Sequence, residues 1–320
     1  MSSILAIALN PTVDVSCDTA RIQPMHKIRT TNPRHHPGGG GVNVARVLTA
    51  LGERPALAYC QGGAAGSLLH DFLKQTSIDL HSFQIAGDVR LAFSVLEETS
   101  GFEYRFVPEG PTVSEAELAH LFDFLKRSNA GYVIASGSLP LGAPVDTYAR
   151  MAEIAREKGA RFVLDTSGPA LTEALKRGPV FLFKPSIGEL QKLAGRELSE
   201  KDAIEEADRL VTSGIVEFVA LTLGTKGALL VGNGICERVP AIHVAAKSAV
   251  GAGDSFVAAM VFALNQGHGI KEAFRFAVCT GAAAAMTSGT NLCNPADVEM
   301  LYLADCKTRK TLPAIKIGAS

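Results

Sequence analysis

The sequence predicts a three-layer αβα fold, with a central, mostly parallel β-sheet covered by helices on both faces and a small second sheet beside it. Three observations predict this. From Ser114 onward, short apolar runs and amphipathic stretches alternate regularly, the pattern of parallel strands joined by crossover helices. Near the start, Ile4-Leu-Ala-Ile-Ala-Leu9 is a continuous apolar run stopped by Asn10-Pro11, as a strand buried on both faces requires. Residues 12–31 and 90–106 instead carry polar–apolar alternation, and so form a half-exposed sheet of their own.

At 320 residues and 47% hydrophobic, the chain can bury a sizeable core in one large domain or two smaller ones. Its 31 basic and 32 acidic residues leave a formal charge of -1, which speaks against a nucleic-acid partner held by bulk charge. An anionic ligand must be met by local cations. Cys17, Cys60, Cys236, Cys279, Cys293 and Cys306 form no C-x-x-C pair, so neither a zinc ribbon nor a redox motif is supported; several sit in apolar runs, where buried free thiols are expected. No apolar run is long enough for a signal-peptide core or a membrane span, and a soluble, cytoplasmic protein is the expectation.

In chain order, residues 12–16 and 27–31 alternate as strands of the small sheet. Pro37-Gly38-Gly39-Gly40-Gly41-Val42-Asn43 then runs straight into an amphipathic helix ending near Gly52. A flexible linker would mix serine with glycine and would not lead directly into a helix. The glycines read instead as a pocket wall at a helix N-terminus, with Asn43 offering an amide to sugar hydroxyls. No Walker A loop is present, and the run does not complete G-x-G-x-x-G, which disfavours a dinucleotide oxidoreductase.

A second core strand is expected at 55–60, a helix at 62–73, and a β-hairpin at 90–97 and 102–106 that carries Arg90 and Arg105. Ser114-Glu-Ala-Glu117 fits a capping box opening a helix to about 128. Strands are expected at 132–136, 161–164, 180–183, 218–221 and 228–231, and helices at 145–158, 169–176, 187–194 and 200–213. The strands end in Ser136-Gly137-Ser138, Asp165-Thr166-Ser167, Lys184-Pro185-Ser186 and Thr222-Leu-Gly224. In a parallel sheet such ends collect on one rim, where ligands bind. A small-residue helix (270–286), a polar loop (287–291) and a last helix (295–304) follow, and the tail from Cys306 is read as loosely held. His35 and His36 point to opposite faces of a strand, so they are not read as a metal pair.

The chemistry concentrates in Ser248-Ala249-Val250-Gly251-Ala252-Gly253-Asp254-Ser255-Phe256. A helix starting near Gly253 points unpaired N–H groups and its dipole out of its N-terminus, an anion site. An acid in the same turn should be repelled there, unless one place must both hold a negative group and remove a proton. Phosphoryl transfer to an alcohol needs both.

These motifs resemble the PfkB branch of the ribokinase superfamily over nearly the whole chain. Pro37-Gly38-Gly39-Gly40-Gly41-Val-Asn43-Val-Ala45 and Ala249-Val-Gly251-Ala-Gly253-Asp254-Ser-Phe256 carry the resemblance, supported by Asn10-Pro11-Thr-Val-Asp14, Ser136-Gly-Ser-Leu-Pro140 and Lys184-Pro-Ser. The unbroken glycine run is most similar to the minor, ATP-dependent 6-phosphofructokinases of the branch. Its 1-phosphofructokinases and tagatose-6-phosphate kinases usually have lysine where Gly40 stands.

The resemblance implies a ribokinase-like αβα kinase core (1–11, 38–88 and 109–320) and a β-sheet lid (12–37 and 89–108) that is also the contact of a homodimer. It implies phosphorylation of fructose 6-phosphate at its 1-hydroxyl, with tagatose 6-phosphate or fructose 1-phosphate as alternative substrates and a sugar-phosphate sensor as the non-enzyme alternative. Asp254 would be the base and Gly251, Ala252 and Gly253 the anion hole. Asp14, Gly39, Gly40, Asn43 and Ser138 match sugar-binding positions. Lys27, Arg90 and Arg105 match phosphate-binding ones, with Lys27 reaching the neighbouring subunit's site. Lys184, Ser186, Glu189, Thr222, Gly224 and Gly227 match positions for Mg-ATP. Carbonyls around Ser248, Val250, Ala284, Thr287, Gly289 and Asn291 match a K+ site. One departure stands out: the branch commonly reads Asn-x-x-Glu, and this chain reads Ser186-Ile-Gly-Glu189.

Overall fold

The computed structural model describes residues 3–287, 289–311 and 315–318. Two sheets organise them. The small one holds β2 (Thr12–Thr19), β3 (Thr31–Gly38), β6 (Arg90–Glu97) and β7 (Glu103–Phe106). The large one holds β1 (Ile4–Ala8), β4 (Ala56–Gln61), β5 (Asp79–Gln84), β8 (Tyr132–Ser136), β9 (Arg161–Asp165), β10 (Val180–Phe183), β11 (Val216–Thr222), β12 (Ala228–Gly232) and β13 (Ile235–Val239). Its order is β13-β12-β11-β10-β9-β8-β1-β4-β5, with every strand running the same way except β12, which is antiparallel to both its neighbours. β1 and β8 lie well inside it, and all five residues of each are buried, which is why they read as unbroken apolar runs. Because β1, β8, β9 and β10 are parallel neighbours, their polar C-terminal residues meet at one edge.

Helices cover both faces. On one, Val44, Val47 and Leu48 of α1 (Gly40–Ala50) pack with Phe256 to Ala263 of α8 (Ala252–Asn265) and with Phe274 of α9 (Ile270–Ala285). On the other, α3 (Glu115–Arg127), α4 (Thr147–Glu157), α5 (Gly168–Arg177) and α6 (Ile187–Ala194) supply Leu118, Tyr148, Leu171 and Leu190. α8 is buried nearly all round, so its sequence shows no amphipathic stripe. The capping box of Ser114 and Glu117 opens α3 as expected. No helix among the described residues is long and apolar enough to cross a membrane.

The small sheet runs β3-β2-β6-β7, with β2 and β6 parallel and the outer pairs antiparallel. Its register puts Leu91, Phe93, Tyr104 and Phe106 on one face and Asp14, Ala92, Ser94 and Arg105 on the other. The apolar face is bare: Phe93 is 42% and Phe106 58% exposed.

Three expectations need correction. The strand expected at 27–31 lies further on, at Thr31–Gly38. Pro33 and Pro37 hid it, but β3 is an edge strand, where a missing N–H need not be paired. β5 has no expected counterpart, because Asp79-Leu-His-Ser-Phe-Gln84 is a polar edge strand without an apolar run. The tail is partly docked: α10 (Pro295–Arg309) continues past 304, Ile315 is buried, and the Gly318 N–H bonds the Leu51 carbonyl at 3.1 Å.

Candidate active site

The strand ends, the glycine run and the polar face of the small sheet enclose a cavity of about 270 Å³. The large sheet contributes Ser136, Gly137 and Ser138 after β8 and Asp165, Thr166 and Ser167 after β9. The small sheet contributes Asp14, Arg90 and Arg105, α1 contributes Gly40 and Asn43 after Gly39, and the start of α8 contributes Val250, Gly251 and Asp254. Glu189 of α6 completes one wall. Its size, at the small end for ligand clefts, suits a sugar phosphate by itself better than a sugar with a nucleotide.

Asp254 occupies the third position of α8, whose N-cap Gly251 is left-handed (φ 71°). The turn is possible because Gly251 carries no side chain, and a Cβ there would also press within 2.7 Å of Leu292. The first-turn N–H groups of Gly253 and Asp254 have no intrahelical acceptor. Asn43 Nδ2 donates to Asp254 Oδ2 at 2.9 Å, and Ser136 Oγ lies 3.4 Å from Oδ1. Burial, then the Asp165 charge, push the Asp254 pKa up to about 6, against the pull of Asn43, Lys184 and Ser136. It is a carboxylate at neutral pH and a far better proton acceptor than an exposed aspartate.

Beneath the turn lies a buried ion pair, Lys184 Nζ to Asp165 Oδ1 at 3.1 Å, with side chains 7% and 12% exposed. Burial alone would lower the Lys184 pKa, but Asp165, Glu189 and Asp254 together raise it, so the ammonium stays charged. A Cβ on Gly253 would sit 3.4 Å from Nζ, which places this cation directly under the proposed anion hole.

Across the cavity, Arg90 is fixed by its Nη1 donating to Pro108 O (2.8 Å) and its Nη2 to Asn10 O (3.0 Å), while its buried Nε has no partner among the described residues. Arg90 lines the cavity, and a guanidinium there suits a charge-assisted phosphate contact. Asp14 is raised by burial, which outweighs Arg105, Arg46 and Arg90. Gly40 is forced by close approach, since a Cβ there would lie 2.4 Å from Ser136 Oγ and 2.8 Å from the Gly137 nitrogen.

Apart from Glu189, the other expected residues lie outside the cavity lining. Lys27 is exposed, outside the strands and outside the cavity of its own chain. Ser186 and Glu189 form a capping box, with the Glu189 carboxylate accepting from the Ser186 N–H (2.7 Å) and hydroxyl (2.9 Å). Thr222 adjoins them, its N–H bonded to Pro185 O at 2.9 Å, and Gly224 and Gly227 flank the turn into β12. Ser248, Ala284, Thr287, Gly289 and Asn291 lie off the cavity, where the Thr287 hydroxyl is 2.8 Å from Ala284 O and 2.7 Å from Asn291 O. Ser288 falls outside the described residues.

Among the cavity and support residues given no expected role, Asp165, Ser136, Thr12 and Arg46 matter most to the geometry. Asp165 and Ser136 stood among the strand ends, and Ser136 opens the Ser136-Gly-Ser-Leu-Pro140 match, but neither was given a role. Thr12, whose hydroxyl donates to Arg90 O at 3.1 Å, lines the same wall. Arg46 donates to Pro37 O at 2.7 Å and approaches Asn43 Oδ1 at 3.4 Å, fixing which way the amide faces. Its signal was its place three residues after Asn43 on the same helix.

Residues 1–297 match the model of the pfkB family carbohydrate kinases. The chain belongs to the pfkB family of carbohydrate kinases. It is 36% identical over 304 residues to the ATP-dependent 6-phosphofructokinase isozyme 2 of Escherichia coli K12, covering 94% of this chain and 98% of that one. It is 37% identical over 302 residues to the Mycobacterium tuberculosis isozyme 2, covering 93% and 88%. Crystal structures of E. coli phosphofructokinase-2 superpose with a TM-score of 0.91 for a potassium complex (35% identity) and 0.89 for a fructose-6-phosphate complex (34%), each over 95% of this chain and 99% of the other.

Proposed function

We propose that this protein transfers the γ-phosphoryl group of ATP to the 1-hydroxyl of fructose 6-phosphate, giving fructose 1,6-bisphosphate, as a step of sugar breakdown. The observation that carries this reading is the pairing of a buried base with phosphate-binding cations across one small cavity: Asp254 on one wall, Arg90 and Arg105 on the other. A free sugar would need no such cations; a phosphosugar does.

Arg90 and Arg105 hold the 6-phosphate, and Asp14, Asn43, Ser138 and the Gly39-Gly40 backbone meet the hydroxyls. That leaves the 1-hydroxyl facing Asp254. Asn43 and Ser136 hold the carboxylate in place, and Asp254 takes the hydroxyl proton as the oxygen attacks. The N–H groups of the Gly251-Ala252-Gly253 turn and the Lys184 ammonium beneath it meet the charge on the moving group. When bound, Mg-ATP supplies that group on the side of Lys184, Ser186, Thr222, Gly224 and Gly227. Glu189 fits the role of a water-mediated metal contact, since it lines the cavity and is held by Ser186. The carbonyls gathered around Thr287 fit a K+ ion. The bare apolar face of the small sheet and the position of Lys27 support a homodimer built through the lid.

The cramped wall at Gly40 favours fructose 6-phosphate over the substrates of relatives that carry lysine there. A second reading, 1-phosphofructokinase, is supported by 31% identity over 286 residues to the Bacillus subtilis enzyme of that name. A sensor has no use for a base with a raised pKa. ADP release with Mg-ATP and fructose 6-phosphate, tagatose 6-phosphate, fructose 1-phosphate or fructose tests all of these. Preference for fructose 1-phosphate selects the second reading, and no turnover on any phosphosugar removes the kinase reading.

A further inference from the structure

The small sheet rests on the core at two points that none of the proposed catalytic roles uses. In β7, Glu103 accepts hydrogen bonds on both carboxylate oxygens, from Ser94 of the adjacent strand and, at 3.3 Å, from Ser248 Oγ of the core. Ser248 Oγ in turn accepts from the Val250 N–H at 3.2 Å, one residue before Gly251. The same segment is tied to the end of α9, where Lys247 N donates to Ala285 O at 2.8 Å. At the second point, His36 Nδ1 of β3 lies 2.9 Å from the hydroxyl of buried Thr290. One residue earlier, Gly289 packs against β2, where a Cβ would lie 3.5 Å from Ser16 Oγ. Three strands of the small sheet therefore seat on Ser248 and on Gly289 and Thr290, in two backbone segments that adjoin the proposed anion-hole turn and the carbonyls proposed for K+.

We infer that Glu103 and His36 are positioning residues: they clamp the small sheet onto these segments, so that seating of the lid sets the geometry of the anion-hole turn and of the cation loop. This rests on the kinase reading above. The physical basis is that each contact joins a half-buried side chain of the small sheet to a buried hydroxyl on one of these segments. Ser94 and Ser248 are 6% and 8% exposed, so without Glu103 two shielded hydroxyls lose their acceptor. The substrate-binding face of the sheet (Asp14, Arg90, Arg105) shares strands with the clamp, which gives the sugar phosphate a mechanical route to the transfer site.

The test uses Glu103→Ala from the lid side and Thr290→Val, nearly the same shape without the hydroxyl, from the core side. Thr290→Ser restores the hydroxyl and is expected to behave as the parent. Both disrupting variants are expected to lower kcat about 5- to 30-fold with the KM for ATP within about twofold, and to raise several-fold the KCl concentration giving half-maximal rate. Independently of turnover, amide hydrogen exchange of segments 247–251 and 284–291 is expected to slow on adding fructose 6-phosphate to the parent and to stay fast in both variants. Parent-like exchange and K+ response in the two variants overturn the clamp. If Glu103→Ala unfolds the small sheet, Thr290→Val alone decides. If the parent neither turns over nor gains protection, the kinase reading falls with it; if the parent does both and the variants match it, only the clamp falls.

Discussion

Replacing Asp254 with asparagine is expected to destroy activity and to stabilise the fold, by one physical cause. The carboxylate has been drawn into a buried site beside Asp165, and its pKa rises from 3.8 to about 6. Below pH 3.8 both folded and unfolded chains hold the proton, and ionisation costs nothing. Between 3.8 and 6 the folded chain retains a proton that the unfolded chain has lost, so stability falls as pH rises. Above 6 the loss is constant, at about 3 kcal/mol for a shift of about two units. The substituted amide keeps an oxygen to accept from Asn43 but carries no charge. Part of the gain is lost with the attraction to Lys184, so urea unfolding should show Asp254→Asn about 1–3 kcal/mol more stable at about pH 8 and roughly half as much at about pH 5. Over the same series, ADP release with fructose 6-phosphate should fall at least about 100-fold, the lower end of what a general base contributes. In the unaltered protein, kcat/KM should lose one proton's worth of activity as pH drops through about 6. A variant that keeps more than a tenth of parental turnover refutes Asp254 as base, and a stability difference independent of pH refutes the burial argument.

Three further outcomes are expected. Arg90→Ala should raise the KM for fructose 6-phosphate about 10- to 100-fold, as loss of a charge-assisted contact does, and leave the KM for ATP unchanged; equal effects on both would place the sugar phosphate elsewhere. Gly40→Ala pushes a methyl group against Ser136 and the Gly137 backbone, so thermal unfolding should show a loss of about 1–3 kcal/mol together with weaker fructose 6-phosphate binding. Arg46→Met frees the Asn43 amide, whose hydrogen bond lowers the Asp254 pKa; the acid limb of the pH–rate profile should therefore move to higher pH, and an unmoved limb would show that Asn43 holds its orientation without Arg46.

The αβα layering was legible in the chain alone, because buried parallel strands must be unbroken apolar runs and crossover helices must show an apolar stripe. So were the two poles of the candidate site: a glycine run entering a helix, and an acid in the first turn of another, are local features that need no partner to be recognised. The edge strands were not legible. β3 carries two prolines and β5 no apolar run, and only their neighbours in the sheet make either a strand. Ser186 is a similar case, a departure from the family pattern that the structure resolves as the cap of α6, tied to Glu189. How separate pieces come to share one electrostatic field needed the folded chain. Asp165 lies 89 residues before Asp254 in the chain, yet it holds Lys184 beneath the proposed anion-hole turn and raises the pKa of the proposed base. Coulombic and desolvation effects depend on distance and burial in space, not on separation along the chain, so the charge of each group could be read from the sequence and its chemical strength could not.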